Sequence, residues 1–150
     1  MINFNDVENF FWERIDKGMH LVIATSANNK VTTRTVTVIP YNKKLYFPTW
    51  SNTIKYSQIK ENNNVALSVD AIQLTGIATD VGHPKDEKNK EFSQIFRNTF
   101  PDGFDEFITS NEAVVIEITL DDVMFNQVGT GEMYKASLTE KTFVDLGYTE

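Results

Sequence analysis

Apolar and polar residues alternate along most of the chain in short runs, a pattern that is typical of β-strands. Tight turns rich in Asn and Lys separate several of these runs. The β-α-β alternation of a doubly wound sheet is missing. The pattern therefore predicts a mainly β fold with peripheral helices, a six-stranded antiparallel barrel. The predicted strands are residues 20–25, 31–39, 45–47, 65–69, 72–81 and 113–120, the last extending to Phe125 after a bend.

Helical stretches are predicted from apolar spacing and from end signals. Asn5 is the expected N-cap of the first helix and Gly18 its stop, while Pro84 is expected in the first turn of a later, charged helix. Gly76, inside the fifth strand, marks a bulge or a close backbone approach. The polar tail, residues 141–150, is expected to be poorly ordered. The four predicted helical segments are residues 5–17, 52–60, 84–97 and 104–108.

Length and composition narrow the class of protein. A chain of 150 residues with 41% hydrophobic residues is expected to form one domain, residues 1–150. The net charge of −7 disfavours general binding of nucleic acids, although local basic groups can still hold one phosphate. The absence of cysteine excludes disulfides and thiolate metal sites. With neither a signal peptide nor an apolar membrane span recognisable, we expect a cytoplasmic protein that does not bind membranes.

Most motifs of catalysis or metal binding are missing. The two histidines, His20 and His83, have no spaced partner and are expected to be structural or surface residues, so no metal site is predicted. Residues 129–131, Gly-Thr-Gly, resemble the start of a dinucleotide fingerprint, but Tyr134 stands at the third glycine position and a loop is the better interpretation.

Arg34 is one of only three arginines and lies inside the second predicted strand. Strand parity places it on a face with Thr32, Val36 and Val38. An arginine on a largely apolar face is costly unless it reaches water or an anion. Two interpretations follow: a strand-end arginine that extends into solvent, or a clamp for a phosphate, which suits the guanidinium fork.

A second cation, Lys55, follows the third strand at the start of the short helix. A helix start offers free N–H groups and a favourable dipole to an anion. Ser51 or Thr53 taken alone is an ordinary N-cap. Together with Arg34, this segment predicts a phosphate pocket in which Trp50 either flanks an aromatic ring or fills the core.

The segments 34–38, 45–49 and 51–55, with their Arg, Pro-Thr and Ser-Asn-Thr-Ile-Lys residues, resemble the FMN-binding core of the pyridoxamine 5′-phosphate oxidase-like split-barrel family. The likeness is to the short general-stress-protein and nitroimidazole-resistance-type members and spans roughly residues 19–81. It implies a Greek-key split barrel that dimerises, with FMN at the interface. Arg34 and Lys55 would hold the phosphate. The other cofactor-binding residues it implies are Thr35, Val36, Pro48, Thr49, Trp50, Ser51 and Gln73.

Departures from that family limit the function. Ile54–Lys55 replaces a basic pair, Ile39 stands at the position of the substrate-binding lysine, and the oxidase's C-terminal extension has no counterpart. Oxidation of pyridoxamine phosphate is therefore not expected. The sequence leaves three hypotheses open: an FMN-dependent reductase or oxidase acting on a small planar substrate, a non-catalytic flavin carrier, and the same fold holding haem or a deazaflavin. Catalytic residues are not identified, and the low histidine content disfavours haem.

Overall fold

The computed structural model describes residues 1–15 and 19–148. The predicted end of the first helix at Lys17 and Gly18 lies outside these residues. None of the helices among them is long and apolar enough to span a membrane. The helices are α1 (Phe4–Arg14), α2 (Ile54–Glu61), α3 (Lys90–Thr99) and α4 (Phe104–Thr109), and the strands are β1 (Met19–Ala27), β2 (Lys30–Tyr41), β3 (Lys44–Trp50), β4 (Asn64–Val69), β5 (Ile72–Asp80), β6 (Ala113–Asn126), β7 (Glu132–Ser137) and β8 (Thr142–Tyr148).

The first six strands close into an antiparallel barrel in the order β3-β2-β1-β4-β5-β6, and pairing of β3 with β6 completes the ring. The predicted six-stranded split barrel is therefore confirmed. α2 carries the chain from β3 across to β4, which lies beside β1. The two tight turns of the opening β1-β2-β3 meander are built from residues with positive φ, Asn28 and Asn29 in the first and Asn42 and Lys43 in the second. This left-handed backbone matches the twist of the flanking strands.

Both ends of the chain differ from the sequence prediction. The N-cap of α1 is Asn3, not Asn5, because the Asn3 side chain accepts from the Asp6 backbone N–H while the Asp6 side chain accepts from that of Asn3. Residues 142–148, expected to be poorly ordered, form β8, which pairs with β7. β8 is an edge strand whose side chains are mostly exposed, so its composition carries no burial signal.

A long excursion between β5 and β6 carries α3 and α4. It leaves and re-enters the barrel at one place, where the Val81 N–H donates to the Val115 carbonyl at 3.0 Å and the Val115 N–H donates to the Gly82 carbonyl at 2.8 Å. Pro84 lies in a turn before a 3-10 segment (Glu87–Asn89), so α3 begins later than predicted. The side chain of Asn89 donates to the carbonyls of Val81 and His83, which holds this turn in place of a helix.

Two hydrophobic clusters stabilise the chain. The larger fills the barrel and the space beneath α1, with Phe11, Phe47 and Phe125 fully buried. The smaller lies outside the barrel, where α3 and α4 pack on β2, β3 and β6. Val38 and Ile39 point to opposite faces of β2, and both are buried because Val38 packs in the first cluster and Ile39 in the second. The alternation of buried and exposed residues along β2 is therefore interrupted at Ile39.

Gly76 combines both features predicted for it. The register between β5 and β6 shifts between Leu74 and Gly76, as at a β-bulge. A Cβ at Gly76 would lie 2.6 Å from the Thr119 carbonyl oxygen and 2.9 Å from Cγ2 of Ile118. These distances are far shorter than van der Waals contact. β6 therefore packs too closely on β5 for any residue other than glycine at position 76.

The substitution Gly76→Ala should therefore lower the free energy of unfolding by about 1–3 kcal/mol, because the backbone of β6 must move to accept the methyl group. Urea unfolding followed by tryptophan fluorescence measures this loss. Gln94→Ala, at an exposed position of α3, is the control and should change stability by less than about 0.5 kcal/mol. Equal stability of the two variants would contradict the close approach.

Candidate functional site

Arg34 lies on the inward side of β2, as strand parity predicts, and is partly buried. Its guanidinium donates to the Thr25 hydroxyl at 2.7 Å, to the Ile23 carbonyl at 3.4 Å and to the Thr32 hydroxyl. Burial lowers the pKa of Arg34 from its ordinary value. No carboxylate of the described residues forms an ion pair with it. Arg34 is thus a fixed cation held by neutral oxygens.

A buried glutamine of α2 organises those oxygens. The Gln58 side-chain carbonyl accepts from the hydroxyls of Thr25 and Thr32, each at 2.6 Å, and its amide donates to the Lys30 carbonyl at 3.4 Å. Because both hydroxyls donate to Gln58, their lone pairs are free to accept from Arg34. Gln58 was not predicted from the sequence, because α2 has little amphipathic pattern to mark its buried side, where Gln58 lies next to Ile59.

Lys55 lies in the first turn of α2, which is capped by Thr53. The Thr53 hydroxyl accepts from the Tyr56 N–H at 3.4 Å and donates to the Trp50 carbonyl at 2.8 Å. The pKa of Lys55 is lowered, first by burial and second by the charge of Arg34. Within residues 1–15 and 19–148, no carboxylate neutralises Lys55. Two neighbouring cations therefore lack an anion.

Lys55 opens onto a cavity of about 310 Å³ between the barrel wall and the α3–α4 excursion. This volume is at the lower end of small-molecule pockets. Five of the predicted site residues line it: Thr35, Val36, Pro48, Trp50 and Lys55. The other lining residues are Thr37, Phe96, Asp102, Gly103 and Phe107.

The remaining predicted site residues are placed differently. Arg34 is not among the residues that line the cavity, but its charge lowers the pKa of Lys55, which is. Thr49 is fully buried, with its hydroxyl oxygen 3.5 Å from that of Thr53. The Ser51 hydroxyl donates to the Glu112 carboxylate, so it is already engaged. Gln73 is exposed on β5 between Ser68 and Met124 and does not line the cavity.

The cavity wall contributed by the α3–α4 excursion was missed from the sequence. Phe96 and Phe107 pack with ring centroids 6.0 Å apart, and Phe107 meets Trp50 edge-on at 5.4 Å and 84°. Apolar spacing predicts both helices but not which barrel face they cover. Three aromatic rings, those of Trp50, Phe96 and Phe107, therefore line the cavity.

The two histidines are in different situations. The His83 Nδ1 accepts from the Lys85 N–H at 3.0 Å, so its Nε2 carries the proton and donates to the Ser110 carbonyl at 2.7 Å. His83 is structural, as expected. His20 is exposed, its Nδ1 lies 3.1 Å from the Thr37 hydroxyl, and its ring packs on Phe100 at 5.6 Å. Because Thr37 lines the cavity, His20 lies at its margin.

One face of the barrel beside the cavity presents only uncharged side chains among the described residues. These side chains come from β2, β1, β4 and β5, and a groove of about 440 Å³ runs across the face, bordered by one carboxylate, Asp121 of β6. Val22 and Ile77 on this face are 40% and 38% exposed. The uncharged face comprises Thr33, Thr35, Val22, Ala24, Ala66, Ser68, Gln73, Thr75 and Ile77.

Solved structures share this fold. A putative pyridoxamine 5′-phosphate oxidase from Listeria innocua is 18% identical, with 78% of this chain and 95% of that chain covered and a TM-score of 0.60. General Stress Protein 26 from Bacillus anthracis is also 18% identical, with 93% and 98% covered and a TM-score of 0.61. HutZ, a heme storage protein from Vibrio cholerae, is 11% identical, with 79% and 90% covered and a TM-score of 0.61.

Comparison of the sequence with family models and with curated proteins gave no match. The likeness is therefore one of fold, and it confirms the resemblance to split barrels of the pyridoxamine 5′-phosphate oxidase-like type.

Proposed function

We propose that this protein binds FMN in the cavity beside Lys55, as a homodimer, and transfers electrons to or from a small planar substrate. The observation that carries the proposal is the half-buried Lys55, which lines the cavity next to Arg34 without a neutralising carboxylate. A phosphate dianion supplies the missing charge. Charge-assisted hydrogen bonds to it are roughly twice as strong as neutral ones.

The residues present suit a flavin in chemistry. Lys55 lines the cavity with Arg34 near it, and Trp50, Phe96 and Phe107 offer apolar, aromatic walls for a ring system. When bound, the flavin would supply the redox chemistry, which needs no catalytic acid or base from the protein. The chain's own residues would bind the phosphate, orient the ring and exclude water. Ile39, buried against α3, supports a substrate other than pyridoxamine phosphate.

The uncharged face supports the proposed homodimer. A symmetric dimer brings the same patch of both copies together, and an interface core is depleted in charge. Thr35 belongs both to this face and to the cavity lining, so a second copy seated there would border the cavity. Gln73, on the same face, would then contact the partner's flavin site rather than its own. Its role as a flavin contact is part of this proposal.

Haem is the competing ligand, because HutZ, of similar fold, is named as a heme storage protein. Haem iron takes an axial ligand such as histidine. His83 is excluded, since both ring nitrogens are engaged. His20 at the cavity margin is then the one candidate, and its Nε2 has no partner among the described residues. The substitution His20→Ala separates the two ligands, because it removes the candidate iron ligand and leaves Lys55 and Arg34 intact.

The experiment is to purify the protein, identify any released chromophore, and titrate FMN and haemin separately into the apoprotein. We expect a flavin spectrum, saturable FMN binding, and the same affinity in His20→Ala. Haemin binding that is lost in His20→Ala, without FMN binding, would overturn the proposal. Mixing the FMN-loaded protein with NAD(P)H and a nitroaromatic then tests turnover: repeated bleaching and reoxidation of the flavin indicates an enzyme, and a constant spectrum indicates the non-catalytic carrier.

A further inference from the structure

Two side chains of opposite charge line the same cavity without pairing with each other. Lys55 has no ion pair, and Asp102 has neither an ion pair nor a hydrogen bond among the described residues. They belong to different elements, α2 and the turn before α4. A ligand between them meets a cation on one side and an acceptor on the other.

The turn fixes the position of Asp102. The Phe104 N–H donates to the Pro101 carbonyl at 3.3 Å, and Gly103 between them has a φ of +82°, which glycine adopts without strain. Phe104 anchors the turn because it is buried in the cluster beneath α3 and α4. Asp102 is therefore presented by a tight turn rather than by a loose loop. It is the one carboxylate among the residues that line the cavity.

The neighbouring Asp105 shows the contrast. Its carboxylate lies 3.6 Å from the guanidinium of Arg97, on the exposed surface. Asp105 is thus already paired and does not line the cavity. Asp105, three residues from Asp102, is therefore the position for a matched control variant.

We propose that Asp102 accepts a hydrogen bond from a ring N–H of the bound ligand, and so selects flat rings that carry such a donor. The inference rests on the proposed function, in which the anionic end of the ligand is at Lys55 and the ring lies among Trp50, Phe96 and Phe107. Oxidised isoalloxazine has a single N–H, the imide at N3. Asp102 is exposed in the free protein, so a ring seated beside it would cover the carboxylate, and a ring without that donor would leave the carboxylate without a partner, which costs binding free energy.

Equilibrium binding of two probes, FMN and 3-methyl-FMN, tests this. We expect wild type to bind FMN about three- to tenfold more tightly than 3-methyl-FMN, the range of one hydrogen bond at an accessible site. Asp102→Ala should bind both probes equally and more weakly than wild type binds FMN, while Asp105→Ala should keep the wild-type preference. Asp102→Asn, which retains an acceptor oxygen, should keep most of it.

The possible outcomes are distinct. If Asp102→Ala binds FMN as wild type does, or discriminates between the probes as wild type does, the role of Asp102 is wrong while the proposed function stands. If wild type binds neither probe, the proposed function fails and the role of Asp102 with it. Circular dichroism and thermal unfolding of each variant show whether a loss of binding comes from misfolding.

Discussion

Replacing Lys55 by methionine should weaken FMN binding about 10- to 100-fold and, at the same time, make the ligand-free protein more stable at neutral pH. The loss of affinity follows from removing a charge-assisted contact to phosphate. The gain in stability follows from the lowered pKa of Lys55, which shows that the folded protein holds this proton less well than the unfolded chain does. Methionine has a similar length and no charge to desolvate.

The pH dependence has a definite sign. At pH values below the lowered pKa of the folded protein, Lys55 is charged in both the folded and the unfolded state. The full free-energy cost of burying its charge is then present. As the pH rises from that value to the ordinary 10.5, the folded protein loses the proton first, so this cost declines and the contribution of Lys55 to stability rises. The difference in stability between Lys55→Met and wild type should therefore shrink across this window. Chemical denaturation of the apoproteins at several pH values measures it.

Lys60→Met is the matched control, since Lys60 is exposed in the last turn of the same helix and lies 5.9 Å from the Tyr56 ring. It should leave FMN affinity unchanged and lack the pH-dependent gain. Arg34→Ala is less informative, because it also removes the donor shared by Thr25 and Thr32. Wild-type FMN affinity in Lys55→Met would show that the phosphate binds elsewhere.

Placing a charge at the centre of the uncharged face should dissociate the proposed dimer. In Ala66→Arg, the two-fold symmetry brings two cations into one desolvated interface, and like charges brought together there cost several kcal/mol. We expect the dimer dissociation constant to rise at least about 100-fold, with a parallel loss of FMN affinity because each site borders the partner. Sedimentation velocity across a concentration series, with and without FMN, measures both effects.

Thr142→Arg is the control for this substitution, since it adds the same side chain to an exposed strand position off the uncharged face. It should remain dimeric and bind FMN as wild type does. A wild-type protein that sediments as a monomer at all concentrations would contradict the dimer proposal. FMN affinity that survives dissociation in Ala66→Arg would show instead that one chain suffices for the site.

The barrel was predictable because its signals are local. Asn28 and Asn29, or Asn42 and Lys43, fix a hairpin wherever they occur between apolar runs. β7 and β8 were not predicted because their apolar alternation is weak: only Tyr134 and Ala136 of β7 are buried, and the side chains of β8 are mostly exposed. The start of α3 was placed too early for a similar reason: the side chain of Asn89 holds residues 81–89 in a turn, and no periodicity shows that bond.

The site was predictable in part. Arg34 and Lys55 stand out because cations on apolar strands and at helix starts are costly. The structure brings them close enough that the charge of Arg34 lowers the pKa of Lys55. The opposite wall, with Phe96, Asp102 and Phe107, depends on how the α3–α4 excursion folds back over β2 and β3. That arrangement comes from the second hydrophobic cluster, whose members are widely separated along the chain.

The two ends of the excursion that carries α3 and α4 meet at one place on the barrel, where residues 81–82 and Val115 form a pair of backbone hydrogen bonds. Because both ends of this segment lie side by side, another segment can take its place without a new crossing of the sheet. A different insert at this place would replace Phe96, Phe107 and Asp102 and would leave Trp50, Lys55 and Arg34 on β3, α2 and β2. In the proposed FMN site, the residues that would bind the phosphate and most of those that would contact the ring therefore lie on separate segments, so ring specificity would be altered by changing one continuous stretch of chain.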